Sequence, residues 1–368
     1  MTIISHTFDI THVVGSGRNS QLPDGHPALA GTVLQQIADE LAPGRAVLLN
    51  PVYPSQFEGS WILFRRYRPD GEYLSADDAT WAAKSLWDRT HKTSWTVAER
   101  AGGTRPPSWN LRAYRASDNN FFHGSFALNP DMSHAHTYGG QAIDDARGYI
   151  YYRCTPNLIR RYNVNSSTWE QINITANGIG IGGTGGQTYH EGLDGLLVIS
   201  SLNSVLGVAI WRNGDSEWTW LAETGHHAHH AHMTYNRVRG DALILGGNSN
   251  PEKVTLINAD GSITAMQDRP DTVDGYALRF GMQSRHLSYD PISGNYLMLD
   301  RDSKRVMWEY SPDLDEWRVG KDWASGQSHS DDWPGPYYGH PIVPVDELGV
   351  ILWLSSYVPR VYKHVSVF

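Results

Sequence analysis

The sequence has little charge and almost no cysteine. Charged residues make up 19% of its 368 residues, the formal net charge is −9, and lysine and arginine form no run. Nucleic-acid binding relies on basic side chains that neutralise phosphates, so this composition excludes nucleic acid as an expected partner. The single cysteine, Cys154, excludes an internal disulfide framework.

The sequence also has no long apolar segment, and its first residues do not show the pattern expected of a leader peptide. No apolar run approaches the length of a transmembrane helix, and the first residues lack a charged region followed by an apolar one. We therefore expect no membrane insertion, and a soluble protein located in the cytoplasm or within a virion. One segment, residues 28–41, has the apolar spacing of a helix, with Pro27 before it and Gly44 after it.

Glycine, proline and aromatic residues are abundant. The chain has 36 Gly, 19 Pro, 14 Trp and 19 Tyr, which suits many short strands joined by tight turns. Several segments have the pattern of hairpins, and they fall into two sets. We interpret one set as the inner hairpins of four-stranded units, at 140–152, 188–199, 235–245 and 287–299. We interpret the other set, most of which carry a Trp after the turn, as the outer hairpins, at 84–97, 157–172, 208–218, 254–263 and 306–317.

Histidines recur at a fixed spacing along the chain. A histidine-rich stretch at 224–235 leads into one inner hairpin. His232, His286 and His340 are separated by 54 residues each, and His136 and His190 are separated by 54 as well. Such a period is typical of repeated supersecondary units, each with a histidine near the start of its first strand.

Three short motifs carry a resemblance to a known superfamily. They are YDPISG at 289–294, LGGN at 245–248 and YNVNSSTW at 162–169. The sequence resembles the kelch or galactose-oxidase-like β-propellers over roughly 130–368, and more loosely over 44–100. The resemblance implies an all-β ring of four-stranded blades around a channel. It does not extend to the copper site of galactose oxidase, and we interpret Cys154 as an inert core thiol.

We count six blades in one domain spanning 1–368, with a strand within 1–14 closing the ring. The predicted blades are centred on about 45–100, 134–174, 184–222, 229–267, 282–320 and 337–368. Seven blades are the alternative, because residues 101–133 are hard to place. The glycine-rich stretch 178–186 lacks the lysine and the helix of a phosphate-binding loop, so we expect a flexible connection there.

The periodic histidines define a candidate metal site. In propellers of this type the innermost strands line the channel, so these histidines are expected near one end of it. His230 and His232 share a strand face, because residues two apart point the same way. The candidate ligands for Zn, Ni or Cu are His230, His232, His286 and His340. The alternative, which we favour, is that the histidines line a polar channel without metal, because no cysteine or carboxylate has a recognised metal-ligand spacing.

The same channel mouth provides candidate catalytic and ligand-binding residues. A lyase acting on uronic acids would use a Tyr or His base and an Arg that neutralises the substrate carboxylate. The candidates for these roles are His232, His286, Arg285, Tyr235 and Tyr189. Tyr235 and Tyr289 repeat from unit to unit, however, which favours packing for the tyrosines. The candidate ligand-binding residues are His136, His190, His340, Trp333, Tyr337 and Tyr338, the last three in a loop before the final blade.

We therefore expect a non-catalytic binding or assembly module that recognises a glycan or a partner protein. A component of a phage virion or tail is one form of this hypothesis. The alternative is a carbohydrate-active enzyme, either a polysaccharide lyase or a glycoside hydrolase, with a His/Tyr/Arg site at the channel mouth. No complete catalytic set outweighs its interpretation as packing, and this favours the binding module.

Overall fold

The computed structural model describes residues 33–41, 43–44, 46–48, 85–97, 111–115, 120–123, 139–152, 154–181, 185–227, 229–248, 250–278, 286–299, 306–322, 342–353 and 360–368. These residues are almost entirely β. Their one α-helix, α1 (Val33–Glu40), lies inside the predicted helix 28–41. No helix in the described part of the chain is long and apolar enough to cross a membrane.

Strand β1 (Ala46–Leu48) follows α1, and the later strands form antiparallel sheets that we number I to VI in chain order. Sheet I has β2 (Ser85–Asp88), β3 (Thr93–Val97), β4 (Leu111–Arg115) and β5 (Asn120–His123); sheet II has β6 (Gln141–Asp144), β7 (Tyr149–Tyr152), β8 (Leu158–Asn163) and β9 (Thr168–Asn173). Sheet III has β10 (Ile179–Ile181), β11 (Gln187–His190), β12 (Gly195–Leu202), β13 (Val205–Arg212) and β14 (Thr219–Glu223); sheet IV has β15 (His232–Asn236), β16 (Asp241–Leu245), β17 (Val254–Ile257) and β18 (Ile263–Ala265). A small hairpin of β19 (Thr272–Val273) and β20 (Tyr276–Ala277) precedes sheet V, which has β21 (His286–Tyr289), β22 (Tyr296–Leu299), β23 (Val306–Ser311) and β24 (Glu316–Asp322). Sheet VI has β25 (Ile342–Val345), β26 (Val350–Trp353), β27 (Arg360–Tyr362) and the early strand β1.

The innermost strands of these sheets form a closed ring. β2 contacts β6, β6 contacts β11, and so on through β15, β21 and β25, which returns to β2. Sheets of antiparallel strands arranged radially in this way are the blades of a β-propeller. The described chain has five four-stranded blades, whereas the sequence predicts six with a seventh left open. The number differs because sheet III has five strands.

Sheet III gains its fifth strand along its inner edge. β10 pairs with Ser200–Leu202 of β12, and β11 pairs with residues 195–198 of the same strand. The two short strands therefore lie end to end, and the sheet is four strands deep. The predicted flexible connection at 178–186 is corrected in part, because Ile179–Ile181 is a paired strand.

Sheet I also differs from the sequence prediction. Its inner hairpin is 85–97, which the sequence assigns to an outer hairpin of a blade at 45–100. Residues 111–123, from the stretch that was hard to place, supply the outer two strands. The Trp after the turn misleads here because Trp95 packs against Tyr162 of sheet II, with ring centroids 6.3 Å apart. Such a Trp marks packing between sheets in an inner hairpin as well as in an outer one.

The ring is completed by residues near the N-terminus. β27 pairs with β26 on one side and with β1 on the other. The place beside the C-terminal strand, which the sequence assigns to residues 1–14, is thus taken by Ala46–Leu48; residues 1–14 lie outside the described residues. Leu34 and Leu41 of the preceding helical segment are buried, and the Gly44 amide donates to the Lys363 carbonyl at 2.7 Å.

The core lies between neighbouring sheets. Tyr151, Trp211 and Trp218 fill the space between sheets II and III and are fully buried. Trp317 packs on Tyr310 at 4.7 Å. Tyr310 belongs to the same sheet as Trp317, and both are part of the apolar cluster shared by sheets IV and V. Each fully buried large apolar side chain contributes about 1.5–3 kcal/mol, so this packing stabilises the ring.

Candidate functional site

The two ends of the ring carry different groups. At one end the inner strands run into tight turns, and in sheets I to V the side chain at the end of the strand, or directly after it in sheet V, accepts a backbone N–H of that turn. The residues that cap the turns in this way are Asp88, Asp144, His190, Asn236 and Asp290. Because the cap fixes each turn, the residue that follows it is carried toward the axis.

Arg237 follows the cap of sheet IV and contacts four other sheets. Its Nε lies 2.6 Å from Oε1 of Glu191, its Nη2 lies 3.5 Å from Oδ2 of Asp145, and its Nη1 lies 3.4 Å from Oδ2 of Asp346. Nη1 also donates to the carbonyl of Trp87 at 3.3 Å. The Arg237 side chain is 11% exposed. One largely buried cation therefore ties sheets I, II, III and VI to sheet IV.

Arg89 provides the second cation of this cluster. It binds Asp145 with two nitrogens, at 2.6 and 2.9 Å, and its Nη2 lies 2.8 Å from Oε1 of Glu191. We name the group formed by Arg89, Asp145, Glu191, Arg237 and Asp346 the axial hub. Two guanidinium groups and three carboxylates pair with one another there, and the most buried of them, Asp145 and Arg237, need such partners.

The acid–base state of the hub follows from burial and these contacts. Burial acts to raise the pKa of Asp145, but the Arg89 hydrogen bond and the Arg237 charge outweigh it and lower the pKa. Burial prevails at Asp346 and raises its pKa despite Arg237. The Tyr289 hydroxyl donates to Asp346 at 2.7 Å, and burial raises the pKa of Tyr289 well above its ordinary value. Tyr289 is therefore a hydrogen-bond donor at neutral pH and not a base.

A polar contact beside the hub joins the first and last sheets. The indole Nε1 of Trp87 donates to both carboxylate oxygens of Glu347, at 3.1 and 3.0 Å. Lys92 lies 2.7 Å from the same carboxylate. These contacts fasten sheet I to sheet VI at the place where the ring closes.

The tyrosines predicted as bases are tied into this turn end. The Tyr189 hydroxyl donates to Asp194 at 2.5 Å, and Arg147 donates to Tyr189 at 2.7 Å. Burial is the main cause that raises the pKa of Tyr189, followed by the bond to Asp194. Burial also raises the pKa of Tyr235, whose ring lies 4.7 Å from that of His190.

His190 does not lie at the start of its strand. It is the last residue of β11 and is fully buried. Its Nδ1 accepts the Leu193 amide at 3.2 Å, so it occupies the turn-capping position. Burial lowers its pKa. The prediction that His190 lies near the start of an inner strand is therefore wrong.

The histidine-rich loop lies at the opposite end of the ring, where the inner strands begin. His232 and His286 are the first residues of β15 and β21. His226 is buried: its Nδ1 donates to the Gly246 carbonyl at 2.6 Å, and its Nε2 accepts from the Thr255 hydroxyl at 2.9 Å. Burial lowers the pKa of His226 to about 4, so it is a neutral structural residue.

The following histidines are held against the loop after β16. The rings of His229 and His230 are 3.8 Å apart, and Nδ1 of His230 donates to Oδ1 of Asn248 at 2.7 Å. The Asn248 amide donates to the His229 carbonyl at 3.1 Å. His230 has φ of 68°, a left-handed conformation that is uncommon for a residue with a side chain. The loop is thus fixed on the frame by its own sheet.

The predicted metal site is only partly covered by the structure. Among the residues described, no group of three or more His, Cys, Asp or Glu side chains is arranged to hold a metal ion. Of the four predicted ligands, only His230 and His232 have described side chains, so the site stays a prediction. Six of the predicted site residues, His340 among them, fall outside the described residues: His136, Arg285, Trp333, Tyr337, Tyr338 and His340. Cys154 is buried, and burial raises the pKa of its thiol to about 12, as an inert core thiol requires.

Sequence reasoning missed the axial hub. Its signal is a charged residue directly after the inner strand, at Arg89, Asp145, Glu191, Arg237 and Asp346, whereas Asp290 after β21 caps its turn and is not part of the hub. In any single hairpin such a residue resembles an ordinary polar turn residue. Only a correct alignment of all the inner hairpins brings the five positions together, and the inner hairpin of sheet I was misassigned.

Comparisons with known proteins identify the fold and not the family. No family model matches the sequence, and no curated protein matches it. A structural genomics protein of unknown function from Bacteroides thetaiotaomicron has a similar structure, with 13% identity and a TM-score of 0.53, over 87% of this chain and 75% of that chain. An auxiliary nutrient binding protein from Bacteroides ovatus has 9% identity and a TM-score of 0.50, over 77% of this chain and 69% of that chain. The WD40 repeats of RRP9 match with 10% identity and a TM-score of 0.46, over 77% and 95%.

The class that the sheets define is therefore the β-propeller, in which a network of paired charges joins the sheets at one end of the ring.

Proposed function

We propose that this chain is a non-catalytic β-propeller module that binds a glycan or a partner protein. The observation that carries the proposal is the condition of the described groups that an enzyme would use for proton transfer. Tyr189 and Tyr235 have raised pKa values, and His190 is fully buried with a lowered one. A general base must be unprotonated at neutral pH and must reach its substrate. The two tyrosines do not meet the first condition, and His190 does not meet the second.

The charges of the axial hub support the same proposal. Each member of the hub forms an ion pair with another member. Carboxylates that are engaged by guanidinium groups serve to hold sheets together. A rigid frame of this kind suits a binding module, because binding residues on loops are most effective when the scaffold beneath them is fixed.

The proposal includes a six-bladed ring in which sheet III is the sixth blade. Its inner edge is shared by β10 and β11, so the sheet has the depth of the other five. The hub occupies one end of the channel. The end where the inner strands begin is then the binding end, and its loops include the histidine-rich loop and the predicted recognition loop at 331–338.

The nature of the ligand is part of the proposal. The Bacteroides ovatus neighbour is named as a nutrient-binding protein, which is an instance of this fold in a binding role. A glycan fits the predicted aromatic residues Trp333, Tyr337 and Tyr338, because aromatic faces stack on sugars. A partner protein would be the ligand if the chain is a component of a phage virion or tail. A metal ion held by His230, His232, His286 and His340 would lie at the same end.

One assay distinguishes the binding module from the alternative, a polysaccharide lyase. The protein is incubated with a panel of uronic acid polysaccharides, and the absorbance of the unsaturated product is followed beside retention on the immobilised polysaccharides. We expect retention without product. Product that accumulates in proportion to the protein would overturn the non-catalytic proposal.

A further inference from the structure

The protein has two Asn-Gly sequences, Asn177-Gly178 and Asn213-Gly214. Both lie in exposed turns that flank strands of sheet III. An asparagine followed by glycine is especially prone to spontaneous deamidation, because glycine has no β-carbon to keep its backbone nitrogen away from the asparagine side chain. The reaction also requires that the asparagine side chain can turn its Cγ toward that nitrogen. The two sites differ in this respect.

The side chain of Asn213 is held by Arg161. Nη1 of Arg161 donates to Oδ1 of Asn213 at 2.6 Å. Arg161 is itself fixed, because its Nε lies 2.6 Å from Oε2 of Glu170 and its guanidinium carbon lies 3.7 Å from the ring centre of Tyr149. A hydrogen bond from a charged donor is stronger than one between neutral groups. Asn213 can therefore reach the reactive rotamer only by breaking this bond.

The side chain of Asn177 has no such restraint. It is exposed, and within the described part of the chain it forms no hydrogen bond. Asn177 has φ of 51° and Gly178 has φ of 77°, which is the backbone of a type I′ turn. The turn is closed by the Ile179 amide, which donates to the Ala176 carbonyl at 2.9 Å. The Gly178 nitrogen takes no part in this bond, so it is available to the Asn177 side chain.

The Asn177 turn lies at the end of the ring where the inner strands begin. Ile179, two residues after Asn177, pairs with Leu202, the last residue of β12. Because β12 runs antiparallel to the inner strand β11, its last residue lies at the end opposite the axial hub. A change at Asn177 therefore occurs at the proposed binding end, beside the pairing of β10 with β12.

We propose that Asn177 is a site of spontaneous deamidation and that folding protects Asn213. The Gly178 nitrogen, having lost its proton to solvent, attacks Cγ of Asn177. The new C–N bond closes a succinimide ring, and the bond from Cγ to Nδ2 breaks, so that Nδ2 takes up a proton and leaves as ammonia. Water then opens the ring at one of its two carbonyls and gives aspartate or isoaspartate. The reaction needs no enzyme, cofactor or oxidant.

Either product adds a negative charge at this end of the ring. Isoaspartate also lengthens the main chain by one carbon, so the two-residue turn no longer matches the register of Ile179 with Leu202. The proposal rests on the turn and on side-chain contacts, and it does not depend on the proposed function.

The full chain tests the proposal without any substitution. Folded protein and protein unfolded in guanidinium chloride are incubated at mildly alkaline pH. Trypsin then places the two asparagines in different peptides, 162–212 and 213–237, and mass spectrometry follows the mass gain at each site. We expect similar rates at the two sites in the unfolded chain. In the folded chain Asn177 should convert about tenfold faster than Asn213 or more, the effect of one hydrogen bond to a charged group. A ratio no larger in the folded chain than in the unfolded chain, or no conversion of Asn177 in the folded chain, would overturn the proposal.

A substitution tests the restraint by Arg161 separately. We expect Arg161→Met to raise the conversion of Asn213 in the folded chain several-fold and to leave Asn177 at its wild-type rate. Arg318→Met, on β24 of sheet V, is the matched control and should change neither rate. Unfolding curves confirm that both variants are folded during the incubation. An unchanged Asn213 rate in folded Arg161→Met would contradict protection by this side chain.

Discussion

Arg237 shows how one side chain can serve a whole ring. It is nearly buried and lies within ion-pair distance of three carboxylates from three other sheets. Desolvating such a cation costs several kcal/mol, which the carboxylates and the Trp87 carbonyl offset. Removing the cation takes the Arg237 ion pair from Asp346 and leaves Asp145 and Glu191 with Arg89.

The first prediction concerns this cation. We expect Arg237→Met to lower the free energy of unfolding by about 3–5 kcal/mol, because breaking a buried charge pair from one side costs that much. Lys92→Met is the matched control. Lys92 is 43% exposed in its ion pair with Glu347, and its loss should cost less than about 1 kcal/mol. Urea unfolding measures the free energy of unfolding of both variants. Equal losses would show that the axial hub stabilises the ring no more than an exposed ion pair does.

Glu309 on β23 holds the C-terminal tail, residues 363–368, as Arg237 holds the inner turns. It accepts hydrogen bonds from His364 Nε2, the Ser366 hydroxyl and the Val367 backbone amide in the tail. It also accepts from the side-chain amide of Asn295 at 2.7 Å. Burial acts to raise the pKa of Glu309, but hydrogen bonds from His364, Ser366 and Asn295 prevail and lower it. The carboxylate form is therefore the one that holds the tail.

The second prediction is the pH dependence that follows. A carboxyl group with a lowered folded pKa stabilises the protein above its unfolded pKa, about 4.3 for glutamate, and loses that effect as the pH falls through the folded value. At neutral pH we expect Glu309→Gln to cost about 1.5–3 kcal/mol, the range for hydrogen bonds to a charged group. The difference between wild type and variant should shrink below a pH of about 4.3. Denaturant titrations at a series of pH values measure it, and a difference that stays constant would contradict the assignment.

At the scale of elements, the hairpins were the part of the fold that the sequence could predict. The pattern around YDPISG locates β21 and β22, and the pattern at 157–172 locates β8 and β9. Sheet I was misassigned because Trp95 imitates the outer-hairpin pattern. Strand β1 has only three residues, and its partner lies more than 300 residues away in the chain. Local pattern carries no information about such a pairing.

The third prediction concerns this closing element. A chain that begins at residue 33 retains α1 and β1, whereas one that begins at residue 49 loses both. We expect the shorter chain to lose roughly 3–6 kcal/mol more than the longer one, since Leu34 and Leu41 are buried and each contributes about 1.5–3 kcal/mol. Thermal and urea unfolding compare the two chains. Equal stability would mean that β1 does not close the ring.

For the whole molecule, periodic histidines pointed to a repeated ring, and the ring is present. They did not predict its polar centre. His232 and His286 begin inner strands, whereas His190 caps a turn at the other end, although all three belong to pairs with the same spacing. The axial hub depends on five positions in five sheets, and its recognition needs the three-dimensional alignment that only the folded chain supplies.

The measurement that tests the central claim most directly is the effect of single substitutions at the two ends on glycan binding. Wild type and variants are compared for affinity to the polysaccharides that retain the wild type, with unfolding curves as the check on folding. We predict that His232→Ala, His286→Ala and Arg285→Ala, at or next to the starts of inner strands, weaken binding about tenfold or more, equivalent to about 1.4 kcal/mol. Glu217→Ala on the outer hairpin of sheet III and Lys92→Ala at the turn end should bind normally. Normal binding by the first three variants, with loss of binding in Glu217→Ala or Lys92→Ala, would contradict a binding site at the end where the inner strands begin.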